Sequence, residues 1–485
     1  MKARALKENI LKKLGRVQEA EELHKESLKI DPLYDRQPEK INHNTLLELM
    51  IDLYEAGDYA QGITLAEKWV EQQNVSRQED IYPLVYYYIA YGYQNLHGKE
   101  NTEQTNHYMT VYVTLGENAV ADGCFPHRTE DYIVLKSLAE DYYLDMVYYY
   151  LGCLLYDRRA YGEAIADYEE AARRYPDFPT VHRNLALAYY NVKKQPQRAY
   201  EEMEKAFALD ETDARVYLEL DQLKKRLNVP VKERWSDMEK YFDLVESRDD
   251  LYLEYVTLLN TLGEPEKALG LIKARKFHQW EGGEGKVAAQ YLTALYQLAK
   301  AAVEKEDYAE AKELLLRAVG EYPHNLGEGK LESGQENNLY YLLGLVQEKL
   351  GEAKDAFESL TRACCGESEP VGMMYYNDQP PEMIYYQGLA YRMLGEEEQA
   401  VRRFQKLVDY GREHIRDDVK IDYFAVSLPD LLIFEENLNE RNRKHCLFMM
   451  SLGLKGLGRI DEAEKCAEEL LAMDNAHQEI RVHDL

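Results

Sequence analysis

A chain of 485 residues with 59 Lys and Arg against 88 Asp and Glu, a net charge of −29, repels the phosphate backbone that nucleic-acid-binding proteins meet with clustered cations, so nucleic acid is excluded as an expected partner. The opening "MKARALKENILKKLG" is charged throughout and does not read as a signal peptide, and no later run has the apolar length of a membrane span, so no membrane partner is expected. Six scattered cysteines, Cys124, Cys153, Cys364, Cys365, Cys446 and Cys466, suit a reducing cytoplasm better than a disulfide-stapled secreted domain.

Residues 1–115 read as helix pairs, with small or turn residues centred on Ala20 (with Gly15 and Pro32) and on Gly62. Residues 116–144, broken by "ADGCFPHR", read as an irregular linker or insertion, and the wider stretch 82–144 as an irregular helix pair rich in Tyr. The clearest unit follows. In "YYYLGCLLYDRRAYGEAIADYEEAARRYP" apolar or small residues fall at Tyr148, Leu151, Gly152, Leu155, Tyr161, Ala164, Tyr168 and Ala171, one stripe on each of two short helices. Gly152 is expected where the partner helix crosses closely, Ala164 and Ala171 where the second helix rests on the first, and Pro176 ends the pair. A further copy centres on Ala199, and "LNVPVKERW" makes 213–248 irregular, so 145–248 is one group of repeats with an irregular pair.

From 249 to 485 the copies centre on Ala268, Ala311, Ala356, Ala400 and Ala463, the middle ones carrying Gly344, Gly351 and Ala363, then Gly388, Gly395 and Phe404. Reference positions lie 35 residues apart from Ala164 to Ala199 but 43, 45 and 44 apart from Ala268 to Ala400, so the additional residues are expected in long loops between pairs. Strand-like alternation is hard to find. The expected fold is all-α, a right-handed α-solenoid of about 10–12 helix pairs, each burying its apolar face on its neighbours.

These residues resemble the tetratricopeptide repeat family over most of the chain. More narrowly, "CFPHRTEDYIVL", "TVHRNLALAYYN", "SRDDLYLEYVTLLN", "FHQWEGGEGKV" and "YPHNLGEGKL" resemble an uncharacterised bacterial family in which a mutarotase-like β-sandwich precedes such an array. That resemblance implies a link to carbohydrate metabolism carried mainly by the sandwich. With polar Arg4 and Lys7 at early first-helix positions, the chain reads as a C-terminal fragment. In the repeat pattern the fifth and twelfth positions of the first helix face the concave groove. They hold Tyr149 and Tyr156, Arg183 and Tyr190, Tyr341, and Tyr385 and Arg392, an aromatic groove with two cations. The Lys and Asn set with which chaperone-binding relatives clamp a carboxylate is lacking.

Gly-Glu-Gly-Lys occurs twice, with Gly283 and Gly327 44 residues apart. A phosphate-binding loop needs GxxxxGK followed by Ser or Thr after a strand, but Lys286 precedes Val287 and Lys330 precedes Leu331. Gly283, Gly285, Gly327 and Gly329 therefore read as structural turns, each pair opening a helical run. Cys124 and His127 have ligand-like spacing without a second pair, and Cys364 and Cys365 point about 100° apart on a helix and read as packing residues. No metal, cofactor or catalytic residue is expected. The 41 tyrosines, clustered at 86–88, 148–150, 189, 340, 375 and 385, fit either packing between helices or a stacking surface. The chain thus reads as a non-catalytic scaffold that binds a protein or peptide partner or packs on a neighbouring domain of its own polypeptide. The alternative is a carbohydrate-associated module that binds glycan or assists a catalytic domain.

Overall fold

The computed structural model describes residues 2–30, 42–73, 78–96, 103–142, 144–280, 282–331, 334–371, 378–420 and 433–483. Pro32 and the Tyr375–Tyr376 pair lie outside them. Every regular element among the described residues is helical.

The pair Met146–Asp157 and Tyr161–Arg174 shows why the pattern folds as it does. A Cβ on Gly152 would lie 2.5 Å from the Tyr168 ring, so only glycine lets the two helices cross at this distance. Ala164 and Ala171 are buried on the opposing face. The same relation recurs between Gly344 and Leu360 and between Gly388 and Phe404, in the pairs Asn337–Lys349 with Ala353–Ala363 and Met383–Met393 with Glu397–His414. Each large side chain buried in these stripes contributes roughly 1.5–3 kcal/mol, which short helices need because they are marginal alone. The long repeat spacings come from the connections between Ala274 and Lys286 and between Val319 and Asn337, as expected.

The chain divides into two compact units, Met1–Ala188 and Tyr189–Leu485. The 116–144 stretch holds the helix Thr129–Asp141. Its first turn is fixed by buried Asp131, whose Oδ2 accepts hydrogen bonds from the backbone of His127 and Arg128, both at 3.0 Å. In the second unit the irregular stretch folds as Ala214–Arg226, Val231–Lys240 and Phe242–Ser247. These are pinned by fully buried Arg234, which donates to both oxygens of Asp221 (3.0 and 2.6 Å) and to Glu254 (2.7 Å). A buried cation is tolerated only when paired in this way.

In the first unit several of the tyrosines are core. Tyr86, Tyr87 and Tyr88 are buried side by side, and each hydroxyl donates to a partner: Gln78 O at 2.9 Å, Glu117 Oε1 at 2.8 Å and Asp131 Oδ1 at 2.8 Å. Tyr93 and Tyr112 share Glu67 Oε1 at 2.7 and 2.8 Å. A buried hydroxyl is costly without a partner, so the carboxylates make these rings usable as core.

Candidate functional site

The two Gly-Glu-Gly-Lys loops meet. Gly285 (φ 74°) and Gly327 (φ 80°) adopt the left-handed conformation that disfavours other residues, and a Cβ on Gly327 would lie 2.8 Å from Phe277 O. Glycine at 283 is required by close approach of the Trp280 indole, while a Cβ on Gly329 would meet nothing within 4 Å, so no steric demand accounts for that glycine. The second loop opens no helix directly, since the next begins at Asn337. Instead its Glu328 carboxylate accepts hydrogen bonds from Gly285 N (2.8 Å) and Ala288 N (2.9 Å), at the start of the helix Lys286–Glu304. The helix terminus that a phosphate would seek is filled by the protein's own anion. Lys286 is exposed, but Lys330 donates to Val319 O (2.6 Å) and Glu336 (2.7 Å), so the two lysines are not equivalent.

Cys124 is buried, which pushes its thiol up to about 12, and His127 Nδ1 lies 3.0 Å from Phe125 O. No group of three or more His, Cys, Asp or Glu side chains suited to a metal ion exists among the described residues. Cys365 is exposed and its thiol donates to Thr361 O, so it is not the packing residue expected, because the helix ends at Ala363.

The expected groove residues fall into three places. In the first unit Tyr149 is only 6% exposed, its ring 4.9 Å from that of Phe178; Tyr156 lies 6.4 Å from Tyr168, and Arg183 NH1 donates to Asn184 Oδ1 at 3.3 Å. In the second unit Tyr385, also 6% exposed, packs on Phe404, and Tyr341 lies 5.9 Å from Tyr386. Arg392 sits 4.9 Å over the Phe404 ring and pairs with Glu397 at 2.9 Å and with Gly456 O at 3.0 Å. Tyr190 contacts Phe434 with ring centroids 5.1 Å apart. Tyr149 and Tyr385 therefore present little ring to any ligand.

What the second unit's helices hold is its own chain. Asn191 donates from Nδ2 to Ile433 O (2.8 Å) and accepts at Oδ1 from Glu435 N (2.9 Å), bridging two main-chain groups across the bend at 433–434, while Arg226 donates to Phe434 O (3.0 Å). A second segment follows the helix Ile460–Met473. Asn475 N donates to Asn228 Oδ1 (2.8 Å) and its Nδ2 to Asn228 O (2.6 Å). The short helix Gln478–Val482 then lies across the first helices of successive pairs. Gln478 Nε2 donates to Thr257 O (3.2 Å), and Gln290 Nε2 donates to Gln478 Oε1 (2.9 Å). Lys300 Nζ donates to Val482 O (2.8 Å) and Lys455 Nζ to His483 O (3.3 Å). The Tyr386 hydroxyl and His483 Nδ1 share a hydrogen bond, the Tyr296 hydroxyl meets that of Tyr386 at 3.1 Å, and the His483 ring stacks on Phe448. Sequence reasoning missed Asn191, Gln290, Lys300 and Lys455.

Sequence models of the tetratricopeptide repeat match residues 149–214, 296–370 and 382–410, so the chain contains such repeats. Among solved structures it is similar to yeast Tom70 (12% identity over 99% of this chain and 94% of that one, TM-score 0.33). It is also similar to human IFIT1, solved as a dimer with PPP-AAAA (11% identity, 92% of each chain, TM-score 0.28), and to the P58(IPK) TPR domain (9% identity, 94% of this chain and 98% of that one, TM-score 0.24).

Proposed function

We propose that the chain is a non-catalytic repeat scaffold that binds a protein partner through a peptide segment, or in the same manner a segment of a neighbouring domain. The observation that carries this reading is that Asn191 donates to Ile433 O and accepts from Glu435 N. An amide that engages a backbone carbonyl and the N–H two residues on recognises main chain whatever its side chains, and main-chain recognition is a general mode of peptide binding. The scattered free thiols suit a reducing cytoplasm, and we place the protein there. The carbohydrate-associated alternative rests on the segment resemblance alone, and the buried rings of Tyr149 and Tyr385 do not favour sugar stacking.

Panning a displayed peptide library on the full chain tests this. Enrichment of a consensus peptide that binds in solution, with no thermal shift from mono- or oligosaccharides, is expected. Failure to enrich any peptide, together with stabilisation by a glycan, would replace the reading with the carbohydrate one.

A further inference from the structure

The residues that cross the second unit's first helices behave chemically as a bound peptide. Ile480 and Val482 are buried, 0% and 5% exposed, while Arg481 between them is exposed, so this single helical turn is buried on the two sides that flank Arg481. The polar anchors are spaced along the segment: Asn475 on Asn228, Gln478 on Gln290, the Val482 carbonyl on Lys300 and His483 on Tyr386. These partners come from helices far apart in the chain, Asp249–Thr261 with Thr257, Lys286–Glu304 with Gln290 and Lys300, Met383–Met393 with Tyr386, and Leu438–Gly456 with Lys455. The segment is held by polar contacts as well as by buried Ile480 and Val482, and polar contacts can be exchanged for those of another chain or of water. The seat also contains an opposing element. The Glu479 carboxylate brought by the segment acts on half-buried Glu382, whose pKa desolvation and this like charge push up to about 8.

We propose that this surface is a peptide-binding site whose resident ligand is the chain's own segment Asn475–His483. Its external partner is a protein presenting a short helical segment of the same chemistry: an amide, two branched aliphatic side chains two positions apart, then an imidazole. This rests on the reading that the repeats bind peptides, and adds which surface does so, what it selects and what holds it closed. A tethered segment competes at an effective concentration of about millimolar, so a partner must either bind better than that or meet a chain whose own segment has been loosened.

A labelled synthetic peptide of residues 474–483 is titrated by fluorescence polarisation into the full wild-type chain and into full-length Q478A/H483A, with and without Q290A. The loosened chain is expected to bind the peptide about tenfold or more tightly than wild type, as removal of a tethered competitor requires, and Q290A is expected to reverse much of that gain. Equal binding by wild type and Q478A/H483A, or none by either, would overturn the proposal; if library peptides still bind elsewhere on the chain, the scaffold reading survives it. Should the double variant lose its helical circular dichroism, hydrogen exchange of the wild-type chain decides. Amides of 478–483 exchanging at least about tenfold faster than those of Ile460–Met473 would show a separately opening segment, whereas equal rates would make it a permanent strap and overturn the proposal.

Discussion

Glu328 caps the helix that begins beside Gly285, its carboxylate taking the N–H groups of Gly285 and Ala288 at 2.8 and 2.9 Å. The duplicated loop is thus one device: the second copy supplies the anion for the helix that follows the first. Glu328→Ala is expected to destabilise the chain by about 1 kcal/mol, the usual loss for an N-terminal cap, and Gly285→Val by at least about 1 kcal/mol through its positive φ. Lys286→Ala should stay within about 0.5 kcal/mol, while Lys330→Ala should exceed it because Val319 O and Glu336 lose their donor. Chemical denaturation ranks the four variants. Magnesium ATP should leave the melting temperature unchanged, since a nucleotide at a hundredfold its dissociation constant would add about 2.7 kcal/mol.

Gly388 tests the crossing geometry of the repeats. A Cβ there would lie 2.5 Å from Phe404, a ring that is itself fully buried, so Gly388→Ala should cost about 1–3 kcal/mol by overpacking. Phe404→Leu in the same chain should recover part of that loss, and a double-mutant cycle measures the coupling.

The two readings of the tyrosines separate at Tyr149 and Tyr156. Tyr149 is buried against Phe178, and its replacement by Ala should cost about 3–5 kcal/mol; Tyr156, half-buried, should cost clearly less. Equal, small losses in melting experiments would return Tyr149 to the list of ligand-facing residues.

The seat of the C-terminal segment should also make stability depend on pH. The folded-state pKa of Glu382 is raised from 4.5 to about 8, so its contribution is fully present below pH 4.5 and is lost as pH rises towards 8. Glu479, whose side chain is partly exposed, is shifted downward by His483 and His477, and acts only at acid pH. His445, held down at about 4 by burial, opposes folding as pH falls below 6.5, as does His477. Between pH 7 and 8 the Glu382 effect is therefore left alone: melting temperature should fall over that interval and then level, and Glu382→Gln should flatten it.

Much of the fold was legible because close helix crossings demand small residues, and Gly152, Ala164, Gly344 and Gly388 mark those crossings directly. The loop glycines were legible for the same steric reason, except Gly329, where no such demand exists. The carboxylates beneath Tyr87 and Tyr88 were not legible, since Glu117 and Asp131 lie 30 and 43 residues from them and periodicity carries no such information. Nor was the segment at 475–483. Its helix of five residues is too short to show a period, and its partners lie up to 247 residues away. Tyr149 and Tyr385 show the limit of a family pattern: position in a helix indicated the groove, whereas the Phe178 and Phe404 rings against which they pack decided their burial.

The most direct measurement is hydrogen–deuterium exchange along the full chain with and without a library-selected peptide. Slower exchange on the helices Asp249–Thr261, Lys286–Glu304 and Met383–Met393, with faster exchange over residues 475–483, is the expected result. Protection confined to the second helices of the pairs, such as Pro265–Ala274 and Tyr308–Val319, with residues 475–483 unchanged, would contradict it.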